Sequence, residues 1–127
     1  MYRHILIPTD GSALAERGMA HGLALAKTVG AKVSIVYAVE PLLAVTGDFA
    51  SVLDRAAKVA EKAGVSCETI QMENVSPDQA IVTAAREKGC DLIVMSSHGQ
   101  SGLATFLLGS VANKVLAYAK IPVLVCR

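Results

Sequence analysis

Residues 96–110 read SSHGQSGLATFLLGS: three glycines, four serines, one threonine and one histidine, with no Asp, Glu, Lys or Arg. Glycines at positions 99, 102 and 109 let main-chain N–H groups approach an anion closely, because no Cβ stands between. Gly109 and Ser110 open a helix-like run, and a helix start offers free amides and the positive end of its dipole. Phosphate binding is one chemistry the pattern could do. A plain strand-to-helix connection capped by Ser110 accounts for the same residues. A glycine-containing loop is a weak signal, so the residues alone leave both readings open.

A second candidate is Thr9-Asp10-Gly11-Ser12. Asp10 follows an apolar run and precedes a helix-like one. There it could accept from a ribose hydroxyl or hold a water on a metal. Equally, Asp10 to Ser12 could be an ordinary turn and helix cap. Standard signatures are missing: there is no GxxxxGK[ST], and no GxGxxG follows the first apolar run. GQSG at 99–102 falls short of a nucleophile elbow, and nothing is placed to activate Ser101. His98 could be imagined in a triad with Asp10 and a serine, but a histidine that donates to a ligand or caps the loop is the simpler reading. His4 and His21 share no metal-ligand spacing with it.

The elements that must hold these residues follow from short Val- and Ile-rich runs separated by helix-length segments. Strands are expected over 4–8, 32–39, 67–72, 92–96 and 123–126. The first helix starts at Ser12 as N-cap and runs to Val29, with Ala15, Met19, Leu23, Ala26 and Val29 on one face and Gly30 as its stop. The second spans 49–63 before Gly64. Ser76-Pro77-Asp78-Gln79 predicts a capping box for the third, which ends before Gly89. The fourth covers 110–119. The order β-α-β-α-β-α-β-α-β demands parallel strands and right-handed crossovers. The expected fold class is α/β: one domain over 1–127, a doubly wound five-stranded parallel sheet with helices on both faces. Its ligand crevice opens at the carboxyl ends of the strands, where the winding reverses. If the first and fourth strands are neighbours, Asp10 and the 96–110 stretch face one crevice.

Composition excludes several classes. The 127 residues are 53 % hydrophobic and 18 % charged, which rules out disorder. A net charge of +1, five aromatics and no Trp argue against a nucleic-acid partner. No apolar run approaches the roughly 18 residues of a membrane span, and the first residues do not form a signal peptide, so a cytoplasmic protein is expected. Cys67, Cys90 and Cys126 are odd in number and lack CxxC spacing. They are expected as reduced, buried strand or strand-edge residues.

Two blocks, HILIPTDGSALAERGMAHGLALAKTVGAKVSIVYAVE and SPDQAIVTAAREKGCDLIVMSSHGQSGLATFLLGSVANKVLAYAKIPVLVCR, together resemble the universal stress protein family over nearly the whole chain. The most specific part is the last, where the loop, LLGSVANKVL and IPVLVCR occur in order. The resemblance implies a fold of the adenine-nucleotide alpha-hydrolase type, strand order 3-2-1-4-5, and a homodimer. It also implies ATP, alone or with Mg²⁺, bound through a glycine, two residues, a glycine, nine residues, then Gly-Ser or Gly-Thr. On that register Gly99 is the second glycine, Gly109-Ser110 the terminal pair, and Ser96 stands where the first glycine would be. By the same resemblance Pro8, Thr9 and Asp10 lie near adenine and ribose, and Ala38 lines the base pocket. Met95, Ser96, His98 and Gly99 wall the other side, and Ser110, Val111 and Ala112 meet the phosphates.

The chain departs from the family pattern in three places. If position 96 needs positive φ, serine costs roughly 1–2 kcal/mol, about tenfold in affinity; at negative φ it costs little. Gln100 replaces a basic residue that ATP-binding members often carry, leaving charge to be balanced by the helix end and Mg²⁺. The segment 41–48 after the second strand is short for the family. The last strand, with Val123, Leu124 and Val125, is expected as an apolar sheet edge, which family members commonly pair across a two-fold axis; buried core residues with the edge covered locally account for the same pattern.

The leading expectation is a cytoplasmic stress-response dimer that binds ATP or a related adenine nucleotide, with any hydrolysis slow and incidental. The alternative is a nucleotide-free universal stress protein acting as a dimeric interaction module. A catalyst of the ATP pyrophosphatase or flavodoxin-like kind would want a serine- and glycine-rich loop after the first strand, or aromatics to stack a flavin. PTDGSA is a poor loop of that kind, and Tyr37 and Phe106 are not evidently placed for stacking.

Overall fold

Strand β1 (His4–Thr9) is buried along its whole length, as a strand covered by helices on both faces must be. In the computed structural model, which describes residues 1–39, 49–72, 75–98 and 108–127, it pairs in parallel with β2 (Lys32–Tyr37) and β4 (Leu92–Ser96). Strand β3 (Cys67–Gln71) flanks β2 and β5 (Val123–Cys126) flanks β4, giving the order β3-β2-β1-β4-β5. Between the strands lie α1 (Ala13–Val29), α2 (Phe49–Lys62), α3 (Pro77–Lys88) and α4 (Ser110–Tyr118). The fold is the expected α/β sheet, 3-2-1-4-5, and β1 and β4 are neighbours at its switch point. Among the described residues, no helix is long and apolar enough to cross a membrane.

Alternation along the strands divides the core into two layers. Ile5, Ile7, Val33, Ile35, Leu92 and Val94 pack under α1 and α2 with Met19, Leu23, Ala26, Ala56 and Ala60. Leu6, Val36, Ile93 and Met95 pack under α3 and α4 with Ala80, Ile81, Ala84, Ala112 and Val115. Helix α1 approaches the sheet closely because two residues of its buried face are glycines. A Cβ on Gly18 would stand 3.1 Å from the backbone nitrogen of Ser96, and one on Gly22 2.7 Å from Ile7 Cδ1.

Local expectations fail in small ways. The strands β2 and β3 end at Tyr37 and Gln71, not at Val39 and Met72. After Tyr37 the chain keeps one more bond, from the Ala38 amide to the Thr9 carbonyl at 2.9 Å, then leaves the ladder. Ser76 occupies the N-cap of α3 in extended conformation, ahead of Pro77, but its side chain makes no capping hydrogen bond, so the predicted capping box is not formed. Pro77 at the first helical position sets φ there and lacks an N–H, leaving one fewer unpaired amide in the first turn, although the amides a side-chain cap would serve are those of Asp78 and Gln79.

At the amino end of the sheet a polar network ties the strand starts together. His4 Nε2 and Ser34 Oγ lie 2.6 Å apart, and the Ser34 hydroxyl donates to Glu68 Oε1 at 2.9 Å. Lys88 at the end of α3 pairs with Glu68 at 3.5 Å, while Asp91 accepts from the amides of Arg3 and His4. The Ser34 bond holds the Glu68 carboxyl below its ordinary range. Burial pushes the thiols of Cys67 and Cys90 up to about 11 and raises that of Cys126, so all three stay protonated near neutrality.

Candidate functional site

A cavity of about 230 Å³ opens at the carboxyl ends of β1 and β4. Pro8, Thr9 and Asp10 bring β1 to it, Ala38 and Val39 the chain after β2, and Met95 to His98 the end of β4. Gly109 to Ala112, at the start of α4, close the far side. Ala15 of α1 and Pro77 and Ile81 of α3 complete the wall. Thus Pro8, Thr9, Asp10, Ala38, Met95, Ser96, His98, Gly109, Ser110, Val111 and Ala112, drawn from three distant parts of the sequence, meet around one space. Gly99, Gln100, Ser101, Gly102 and Phe106, with the segment 41–48, lie outside the described residues.

Sequence reasoning missed Ala15, Val39, Pro77, Ile81 and Ser97. Pro77 and Ile81 are four apart on one helix face, a spacing legible in the sequence, but nothing in it said that this face reaches the crevice.

The turn after β1 is self-supporting. Asp10 Oδ1 accepts from the Ser12 amide at 2.9 Å, and Thr9 Oγ1 from the Gly11 amide at 3.1 Å. Gly11 adopts φ 83°, which glycine reaches without strain. Ser12 then caps α1, its hydroxyl accepting from the Ala15 amide at 3.2 Å. Asp10 therefore closes the turn, the ordinary reading of its sequence position, and at the same time forms part of the cavity wall.

The junction from β4 to α4 is built from backbone. The Ser97 amide donates to the Cys126 carbonyl at 2.7 Å, and the Gly109 amide to the Ser97 carbonyl at 2.8 Å. A Cβ on Gly109 would sit 2.9 Å from that Ser97 oxygen. Glycine is needed there for close approach, not for its φ of −66°. Gly109, not Ser110, is the N-cap of α4, because its extended backbone precedes the first helical residue. The first intrahelical bond runs from the Asn113 amide to the Gly109 carbonyl, at 3.0 Å. The amides of Ser110, Val111 and Ala112 thus precede the helical ladder, at the positive end of α4.

Ser96 ends β4, paired with Cys126, so its backbone is that of a strand and serine is unstrained. Its hydroxyl donates to the His98 carbonyl at 2.8 Å, holding the first turn after the strand. His98 Nδ1 lies 3.1 Å from Ser97 Oγ. Its Nε2 is buried with no hydrogen-bond partner among the described residues.

The described wall has one carboxylate, Asp10, and no lysine or arginine. No cluster of three or more His, Cys, Asp or Glu gathers among the described residues. That donor set fits a divalent cation carried in on phosphates better than one held by the protein alone.

The model of the universal stress protein family matches residues 1–127. Universal stress protein MJ0531 of Methanocaldococcus jannaschii is 35% identical over 142 residues, covering 100% of this chain and 83% of its own. Among solved structures, that of MJ0577 from the same organism superposes with a TM-score of 0.87 at 29% identity, covering 98% of this chain and 95% of its own. A universal stress protein in complex with cAMP superposes with a TM-score of 0.81 at 30% identity, covering 99% and 97%.

Proposed function

The chain belongs to the universal stress protein family, and from that premise we propose that it binds an adenine nucleotide in the crevice between β1 and β4. The observation that carries this reading is the junction at Gly109. It brings Ser110, Val111 and Ala112, whose amides precede the helical ladder, to the wall of the same space that Asp10 and Ala38 border. In this reading Ser110, Val111 and Ala112 hold a phosphate, Asp10 accepts from the ribose, and Ala38 and Met95 flank the base. ATP with Mg²⁺ is one such ligand. The cation would neutralise phosphate charge, and the crevice's part is to bind and orient. The relative bound to cAMP supports an adenine nucleotide of some kind. The buried Nε2 of His98 is a further polar group that a ligand could satisfy.

This is binding without rapid turnover, in a stress-response role and a cytoplasmic setting proposed from family membership. Calorimetric titration of nucleotide-stripped protein with ATP and Mg²⁺ tests it. Saturable heat that disappears in Gly109→Val supports the crevice. No heat from millimolar ATP or from any other adenine nucleotide would leave the dimeric interaction module as the better account.

A second copy of the chain is the proposed partner, through β5. That strand is a sheet edge, its Val123 and Val125 are half-buried, and Leu124 is 37% exposed. Sedimentation should show a dimer that Leu124→Lys converts to monomer; a monomeric wild type at high concentration overturns it.

A further inference from the structure

The charge on the described wall of the crevice is one-sided: it carries Asp10 and no lysine or arginine. Arg127 follows β5, but it does not line the cavity and is engaged in another interaction. Arg55 on α2 is exposed and pairs with Glu16 at 3.7 Å. What positive potential the wall offers comes from helix starts and not from side chains: the first turns of α1 at Ala15, α3 at Pro77 and α4 at Ser110 border it, each terminus worth roughly half an elementary charge.

Resting on the nucleotide reading above, we infer that this crevice selects by phosphate charge. It accepts adenine nucleotides with a single phosphate, linear or cyclic, without a metal, and admits the triphosphate only as its divalent-cation complex. A monophosphate brings about two negative charges and a cyclic ester about one, which one helix terminus and its amides can serve. A metal-free triphosphate brings about four, and the added phosphates find Asp10 and no cationic side chain on the described wall. Mg²⁺ on the triphosphate removes about two of those charges. The metal is thus a condition of entry for one ligand and irrelevant to the others.

The test is titration of nucleotide-stripped protein with adenosine, cAMP, AMP, ADP and ATP, each in EDTA and in excess Mg²⁺, at low and at moderate salt. In EDTA, AMP and cAMP should bind about tenfold or more tightly than ATP, with ADP between. Mg²⁺ should close most of that gap for ATP and leave cAMP unchanged. Metal-free ATP affinity should hold or rise with added salt, because screening weakens repulsion. Asp10→Asn should narrow the AMP-to-ATP ratio in EDTA even if both bind more weakly. Metal-free ATP binding as tightly as AMP, or weakening steeply with salt, overturns charge selection while leaving nucleotide binding intact. Failure of every ligand, adenosine included, overturns the nucleotide reading itself.

Discussion

Replacing Gly109 with alanine is the sharpest perturbation the crevice allows. The native conformation there, φ −66° and ψ 163°, is one that alanine adopts freely, so no backbone preference is violated. The cost is steric. The new methyl would stand 2.9 Å from the Ser97 carbonyl oxygen and 3.4 Å from both Cα and Cδ2 of His98. The nearest atom belongs to a main chain already held by the 2.8 Å bond from the Gly109 amide, so no rotamer change can relieve it. The junction must open by a few tenths of an ångström. That shifts the start of α4 relative to the end of β4 and loosens the Ser97 hydrogen bond. Overpacking of this kind costs about 1–3 kcal/mol. For a chain of this length each kcal/mol lowers Tm by roughly 3–6 °C. Calorimetric unfolding should therefore show a drop of at least about 3 °C. If the displaced amides hold phosphate, AMP affinity should fall about tenfold or more, since tenfold corresponds to about 1.4 kcal/mol. Ser110→Ala is the control, because it removes a hydroxyl but keeps the amide, and its loss should be clearly smaller. A Gly109→Ala protein with wild-type Tm and affinity would refute the close-approach argument. A lower Tm with unchanged affinity would refute only the assignment of those amides to phosphate.

Three further outcomes follow from named contacts. Ser96→Gly relieves no strain, because Ser96 lies in a strand, and it removes the 2.8 Å bond to the His98 carbonyl. The variant should lose roughly 0.5–1.5 kcal/mol in thermal unfolding and gain no nucleotide affinity; a tenfold gain would show that the position does favour glycine. Gly18→Ala should destabilise the protein even though alanine is favoured over glycine by about 1 kcal/mol inside a helix. Its Cβ would press on the Ser96 backbone nitrogen at 3.1 Å, and a higher Tm would sink that account. Burial, with help from the Lys32 charge, holds the His4 imidazole below its ordinary 6.5, so the unfolded chain takes up a proton that the folded chain resists. This stability is complete above about pH 6.5 and is lost as pH falls toward the folded value, by at most about 1.4 kcal/mol per unit; His4→Gln should flatten that part of the Tm profile, and parallel profiles would refute it.

The strand order, with β1 beside β4, came from the family resemblance and not from the apolar runs; the element order and the parallel sheet were legible because buried parallel strands write themselves as such runs and helix-length crossovers restrict the winding. Strand β4 shows this best: Leu92 to Met95 are buried throughout, and its expected bounds match those observed. Strand β3 was harder to read because it is an edge whose residues are half-buried or exposed, so its pattern carries little apolar signal. At Ser76 the residue types were right for a capping box but the side-chain bond does not form, since composition cannot fix a rotamer. The site was legible as residue types and not as contacts. Nothing in SSHG announces that Ser96 spends its hydroxyl on the turn, or that the Gly109 amide reaches back to Ser97, because both bonds depend on where α4 returns to the sheet. Gly18 and Gly22 were likewise silent as helix interior residues; only the packed structure shows them bringing α1 against β4 and β1.

The two ends of the sheet put polar residues to different uses. At the amino end His4, Ser34, Glu68, Lys88 and Asp91 satisfy one another, so charge there is consumed in joining β1, β2, β3 and the end of α3. At the carboxyl end the polar side chains mainly serve the backbone: Thr9, Asp10 and Ser12 accept from nearby amides, and Ser96 donates to a nearby carbonyl. Those bonds fix loops without filling the space between them, and glycine at 109 keeps that space narrow without blocking it. Helix dipoles reinforce the difference, because in a parallel sheet every crossover helix starts at the carboxyl end, with its positive terminus there. Capping consumes that terminus at α1, where Ser12 accepts from the Ala15 amide, whereas the Gly109 cap of α4 has no side chain to offer. The start of α3 is likewise without a side-chain cap, but its first residue, Pro77, has no amide N–H to offer, whereas Ser110, Val111 and Ala112 of α4 each carry one. The residues whose replacement should separate binding from stability are those at the α4 terminus.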